Sequence, residues 1–167
     1  YKEAVRKYVK EGKKKIRQAS RRGAMSENVA IEWPHNRMDL DELAEEADFF
    51  SIGTNDFVQY MLAVDRTNER VADLYQPFHP SILRGLKRIV EAGTKAKIDI
   101  SVCGDMVHDE KFVKFLLGIG IRTLSLNPVY LKRIQKVILE LNVKEARQWS
   151  DQLLKESRLS RLMDLVK

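Results

Sequence analysis

The chain has 167 residues, 44% of them hydrophobic, which is long enough for one domain with a real core. No apolar run approaches the roughly 18 residues that a membrane span requires, and no charged-then-apolar leader is present, so a soluble, cytoplasmic protein is expected. The single cysteine, Cys103, excludes an internal disulfide and a cysteine-rich zinc site, and the formal charge of +6 is unevenly spread.

Residues 1 to 22 hold ten Lys or Arg against Glu3 and Glu11, a local charge of +8, whereas the remainder carries −2. Such a block can bind anionic surfaces by counterion release. It lacks interleaved aromatics and any recognised nucleic-acid motif, so a solvated helix face is the better reading and nucleic acid is not an expected partner. Ala4, Val5, Tyr8 and Val9 give that helix a narrow apolar stripe, and residues 18 to 28 read as a flexible linker. The expected organisation is a basic helix and linker over residues 1–27, followed by a folded portion over 28–167.

From there short apolar runs alternate with helical patterns. Asn28-Val29-Ala30-Ile31 runs into Glu32, and a helical pattern covers Leu40 to Ala47. Asp48-Phe49-Phe50-Ser51-Ile52 stops abruptly on Gly53, Thr54, Asn55 and Asp56. Ile82, Leu83, Leu86, Ile89 and Val90 then recur at helical spacing; Ile98 to Val102 runs into Cys103-Gly104-Asp105; and Phe112, Phe115 and Leu116 mark another helix. Thr123 to Leu126 ends on Asn127-Pro128, and Tyr130 to Leu141 is helical. Asn142-Val143-Lys144-Glu145 resembles a capping box that opens a helix through Lys167.

Strands alternating with helices imply parallel βαβ units, an α/β fold whose strands all end on one face. Glu32, Asp56, Cys103 and Asn127 should then line one pocket, at the strand ends where β/α enzymes place their chemistry. Asp56 offers a hard oxygen ligand and Asn55 a neutral donor and acceptor, while Gly53 lets the backbone approach a ligand. Taken singly, Glu32 or Asp56 would more often be a helix cap or ion-pair partner, and Arg66 a surface arginine paired to Asp65 or Glu69. His79 reads as a helix-start residue before Pro80, and His108 has no assigned role.

The segments Phe49 to Asp56, Gln59-Tyr60, Ala63-Val64-Asp65-Arg66, Asn68-Glu69-Arg70-Val71, Leu74-Tyr75-Gln76-Pro77 and Val102-Cys103-Gly104 carry a specific resemblance. They are similar to the carboxyl-terminal domain of enzyme I of the bacterial sugar phosphotransferase system, the phosphoenolpyruvate-protein phosphotransferases. The resemblance implies a fold that is the second half of a phosphoenolpyruvate/pyruvate-type (β/α)8 barrel with a carboxyl-terminal helix, because a whole barrel needs about 250 residues. It implies magnesium held by Glu32 and Asp56, substrate bound by Asn55, Arg66, Asp56, Gly53 and Thr54, and Cys103 as the acid that protonates the enolate carbon as pyruvate forms. The phosphoryl acceptor would be a histidine on another domain, and the partners a histidine-containing phosphocarrier protein and a second copy in a homodimer.

Departures from the family pattern fall at Trp33 to Arg37, at Asp105 where glutamate is usual, at Phe57-Val58 and at Leu126-Asn127-Pro128. They bear on pocket shape more than on reaction class. The alternatives are a non-catalytic phosphoenolpyruvate-sensing or dimerisation module, and a relative of pyruvate phosphate dikinase or phosphoenolpyruvate synthase.

Overall fold

The protein is described by a computed structural model, which covers residues 28–31 as backbone and residues 40–167. The basic segment 1–27, Glu32 and the Trp33 to Arg37 turn lie outside the described residues.

Four strands form one parallel sheet in the order β1-β2-β3-β4: β1 (Asn28–Ile31), β2 (Phe49–Gly53), β3 (Asp99–Cys103) and β4 (Thr123–Leu124). Neighbours in space are neighbours in sequence, as expected when each strand is followed by a helical crossover. All four expected strands are present, and their carboxyl ends share one edge of the sheet. The last is shorter than its apolar run, since pairing ends after Leu124 apart from one further bond, Ser125 N–H to the Val102 carbonyl at 2.8 Å.

The helices are α1 (Leu40–Glu46), α2 (Thr54–Leu62), α3 (Pro80–Ala96), α4 (Glu110–Ile119), α5 (Leu131–Glu140), α6 (Val143–Lys155) and α7 (Leu159–Val166). Their boundaries follow local chemistry. Pro80 opens α3, and His79 caps it by accepting the Ser81 N–H at Nδ1, which makes His79 the helix-start residue that the sequence suggested. Asp109 caps α4 through the Phe112 N–H, and Gly120 closes it at φ 118°, where a side chain would be strained.

Two elements depart from expectation. No helix was expected directly after β2, yet Thr54, Asn55 and Asp56 at the end of that strand are the first turn of α2. The expected continuous helix from Asn142 to Lys167 is two helices. Asn142 does cap α6, accepting the N–H groups of Lys144 and Glu145, but the helix stops at Lys155. There the Glu156 carboxylate accepts the N–H groups of Ser157 and Arg158, and the Arg84 guanidinium takes the carbonyls of Leu154 and Glu156. These tertiary and local bonds replace the helical ones that continuation would have made.

The core lies between the sheet and its helices. Phe50 and Ile52 of β2 and Val102 of β3 are fully buried against Phe57, Val58, Ile82, Leu83, Leu86, Ile89, Phe115 and Leu116. Each such side chain contributes about 1.5–3 kcal/mol by leaving water. Ser51 and Gly53, which alternate with Phe50 and Ile52 along β2, are only half-buried. Among the described residues, no helix is long and apolar enough to cross a membrane.

The tightest helix contact joins α4 to α6. A Cβ at Gly118 would fall 2.2 Å from Ser150 Oγ and 2.4 Å from the Ala146 carbonyl oxygen, the second of these being backbone that cannot step aside. Gly118→Ala is therefore expected to lower stability by about 2 kcal/mol or more, despite the better helix propensity of alanine, as read from urea unfolding. A variant as stable as the parent would show that these helices are not packed this closely.

Candidate functional site

The site begins where β2 becomes α2. Gly53, the last residue of β2, has extended backbone at φ −82° and sits in register beside Cys103, the last residue of β3. The chain then turns directly into the helix, so the first-turn N–H groups and the positive end of the helix dipole lie at the carboxyl edge of the sheet. Asp56 within that turn is favourably placed for the dipole. Asp56 is half-buried, and among the described residues none donates a hydrogen bond to its carboxylate.

The end of β3 is tied to this turn at two points. The Thr54 hydroxyl, fully buried, donates to the Cys103 carbonyl at 2.7 Å, and the Asp105 N–H donates to Asn55 Oδ1 at 2.9 Å. Between them lies Gly104 at φ 103°, where an added Cβ would come within 2.3 Å of Thr54 Oγ1 and 2.9 Å of Asn55 Oδ1. Glycine is required here by conformation and by space together. At Gly53, by contrast, the backbone angles are ones that any residue can adopt.

Arg66 comes to the same place from the segment after α2. Its backbone N–H donates to Gln59 Oε1 at 3.1 Å, and the preceding turn is fixed by Asp65, whose carboxylate accepts both the N–H and the hydroxyl of Thr67. The Thr67 hydroxyl is the main reason that the Asp65 pKa lies below its ordinary value, so that acid pH weakens the turn only below the usual carboxylate range. The Arg66 guanidinium forms an ion pair with Asp105, Nη1 to Oδ2 at 2.9 Å, rather than with Asp65 or Glu69. Arg66 is 40% exposed and Asp105 71%, so the pair contributes well under about 1 kcal/mol to the fold.

Tyr75 completes the group. Burial raises its phenol pKa above the ordinary value, the Arg66 charge opposes that rise, and the Asp105 and Asp56 charges add to it. One phenol thus senses all three charged side chains.

The end of β4 joins this edge through the loop after β3. The Asn127 N–H approaches His108 Nε2 at 3.4 Å, the His108 ring stacks on Tyr130 at 4.2 Å, and Arg133 donates to the His108 carbonyl. Asn127 itself caps the short turn Pro128–Tyr130 by accepting the Val129 N–H at Oδ1.

Asn55, Asp56, Arg66 and Cys103 are therefore brought together at the ends of β2 and β3, with Asn127 further along the same edge. Thr54 and Gly53 belong to the turn that carries them. The Cys103 thiol is half-buried, with Sγ 3.5 Å from the Ile52 carbonyl. Glu32, which follows β1, lies outside the described residues. Asp105 and Tyr75 belong to the site as well. Asp105 stood in the sequence as part of the polar cluster that ends the third strand and as a departure from the family pattern, with no role of its own, and nothing in the sequence pointed to Tyr75 beyond its place in a resembling segment. Among the described residues there is no cluster of three or more His, Cys, Asp or Glu that could hold a metal ion.

Residues 2–143 match the family described as PEP-utilising enzyme, PEP-binding domain, where PEP is phosphoenolpyruvate. The chain is similar to proteins named phosphoenolpyruvate-protein phosphotransferase. It is 37% identical over 139 residues to that of Bacillus subtilis, 38% over 138 residues to that of Listeria monocytogenes, and 37% over 138 residues to that of Haemophilus influenzae. In each case the alignment covers 83% of the chain and 24% of the relative, so the chain spans about a quarter of the length of the curated relatives it matches.

The electrostatic arrangement carries its own prediction. The Tyr75 phenol should titrate above the ordinary tyrosine range, and because the guanidinium stabilises the phenolate, Arg66→Gln should move it higher still. The neutral phenol is favoured in the folded state, so this contribution to stability is full below the unfolded pKa of about 10 and is lost above it. Tyrosine-labelled NMR titration, with Tyr75→Phe to identify the signal, reads the shift, and a fall in the Arg66→Gln variant would contradict the placement.

Proposed function

The chain belongs to the family of PEP-utilising enzymes, matching its PEP-binding domain, and from that premise we propose that it is the phosphoenolpyruvate-binding part of a phosphoenolpyruvate-protein phosphotransferase. The consecutive parallel order of β1 to β4 supports reading the sheet as an arc of a (β/α)8 barrel, the carboxyl-terminal portion of that domain. The observation that carries the reading is the convergence of Asn55, Asp56, Arg66 and Cys103 at one edge of the sheet, in a chain 37% identical to phosphoenolpyruvate-protein phosphotransferase of Bacillus subtilis.

Magnesium fits the donor chemistry. It takes hard oxygen ligands, commonly one or two carboxylates plus substrate oxygens, and the carboxylate of the half-buried Asp56 has no hydrogen-bond donor among the described residues. Asp56 with Glu32 would hold the ion. When bound, magnesium neutralises charge on the phosphoryl oxygens.

The remaining roles fall to the chain's own residues. The Arg66 guanidinium grips phosphate or carboxylate oxygens of the substrate, and the Asn55 amide, on the rigid first turn of α2, orients the phosphoryl group. The bond from the enol oxygen to phosphorus breaks as a bond from phosphorus to a histidine nitrogen forms, that histidine being supplied by another domain of the full-length protein. The carbanionic carbon of the enolate then takes the Cys103 thiol proton, giving pyruvate and a thiolate that solvent reprotonates. The phosphohistidine passes its phosphoryl group to a phosphocarrier protein, and the whole enzyme works in the cytoplasm as a homodimer.

In the protein at its full natural length, Asp56→Ala should abolish magnesium-dependent phosphoenolpyruvate binding in calorimetry. Cys103→Ala should bind phosphoenolpyruvate as the parent does but lose turnover by about a hundredfold or more, the scale of a missing general acid. Undiminished histidine phosphorylation in Asp56→Ala would reject the metal assignment. Undiminished turnover in Cys103→Ala would remove the thiol from the mechanism.

A further inference from the structure

We propose that Asp105 is a positioning residue for Arg66: its carboxylate, held in place at the end of β3, fixes the guanidinium by one nitrogen and leaves the rest of the donor fork for the anionic substrate. The proposal rests on the functional reading above and deepens it by explaining how an otherwise exposed arginine is held ready for its ligand.

Three observations carry it. The first is that the Asp105 backbone is located by the site itself, because its N–H is bound to Asn55 Oδ1 at 2.9 Å. A shift of Asp105 would break a bond to a residue assigned to the substrate. The second is Gly104, whose φ of 103° and lack of room for a Cβ between Thr54 and Asn55 allow the chain to reverse closely enough to bring Asp105 across. The third is the ion pair. Arg66 Nη1 lies 2.9 Å from Asp105 Oδ2, and no other acceptor among the described residues takes a side-chain hydrogen bond from that guanidinium.

A guanidinium carries five N–H donors in a planar fork. Anchoring it through Nη1 fixes the plane while its remaining donors stay available for a second, bidentate contact with phosphate or carboxylate oxygens. A long side chain ordered before the ligand arrives loses less freedom on binding. The same carboxylate also repels an anionic substrate, so the two effects oppose each other, and their balance appears in the sign of the change in KM.

Asp105→Ala and Asp105→Glu separate these effects, with two readouts. In arginine-labelled protein without ligand, the Arg66 Nε–H signal, identified by its loss in Arg66→Lys, should be distinct in the parent, collapse toward the position of free arginine in Asp105→Ala, and return in Asp105→Glu. In the protein at its full natural length, Asp105→Ala should raise the KM for phosphoenolpyruvate about tenfold with kcat within about threefold, and Asp105→Glu should restore KM, the pattern of lost ground-state positioning. An Arg66 signal indifferent to Asp105→Ala overturns the proposal, as does a KM that stays level or falls. If the parent itself fails to bind phosphoenolpyruvate with magnesium, the functional reading falls, while the Arg66 signal still decides whether Asp105 positions the arginine.

Discussion

The site depends on one contact, the seating of the first turn of α2 against the loop that leaves β3. Three groups make it: the buried Thr54 hydroxyl on the Cys103 carbonyl, the Asn55 amide oxygen on the Asp105 N–H, and the missing side chain of Gly104 between them. A buried hydroxyl without a partner costs about 1–3 kcal/mol, so Thr54 holds the Cys103 carbonyl where it is as firmly as the carbonyl holds Thr54. The two strand ends cannot move independently. The thiol of Cys103, the amide of Asn55 and the ion pair of Arg66 with Asp105 inherit one rigid frame.

That frame suits chemistry in which a protein acts chiefly by placement and charge. The proposed phosphoryl transfer would demand little covalent participation from side chains and a great deal of alignment, for which carrying Asn55 and Asp56 on a helix start would be a physical advantage. The dipole of α2 favours negative charge at its first turn, which suits an anion bound beside it. Arg66 sits on a turn held by Asp65 and Gln59 and is bonded from across the site to Asp105. Rigid groups from the sheet edge meet a charged side chain from a longer connection.

Much of this could be read from the sequence, and the parts that could not have physical reasons. The strands β1 to β3 were plain because strands of a parallel sheet read as short apolar runs, and their shared polar edge follows from parallel connection. The start of α2 was missed because Thr54, Asn55 and Asp56 were read only as the polar end of the strand before them, although Asp56 in a first turn before Phe57, Val58, Met61 and Leu62 is also how a helix announces itself. The break after Lys155 was hidden because Arg84, more than seventy residues upstream, supplies the carbonyl partners that end α6 there. Local sequence cannot show a bond of that reach. Asp105 and Tyr75 belong to the same class, being members of the site only through tertiary contacts. Arg66 was assigned to the substrate by the resemblance and read by itself as a surface arginine, but its actual partner is neither Asp65 nor Glu69, since the guanidinium reaches Asp105 just past β3.

The depth of strand pairing explains where along the sheet edge this chemistry can be placed. β2 and β3 share five paired positions, from Phe49 with Asp99 to Gly53 with Cys103, so the pairing reaches Cys103 itself and the residue just before Thr54 and Asn55. β4 pairs at only two positions, and its end is held by looser means, a long bond from the Asn127 N–H to His108 and the stacking of His108 on Tyr130. Helix α5 beyond it keeps only Ile134 buried, while Leu131, Ile138 and Leu139 are exposed. Groups held to about 0.5 Å are placed more precisely by regular, hydrogen-bonded elements than by loops. The β2–β3 edge has one and the β4 edge does not, so the groups that demand fixed geometry cluster on the former, and the ring and guanidinium of His108 and Arg133 can tolerate the latter.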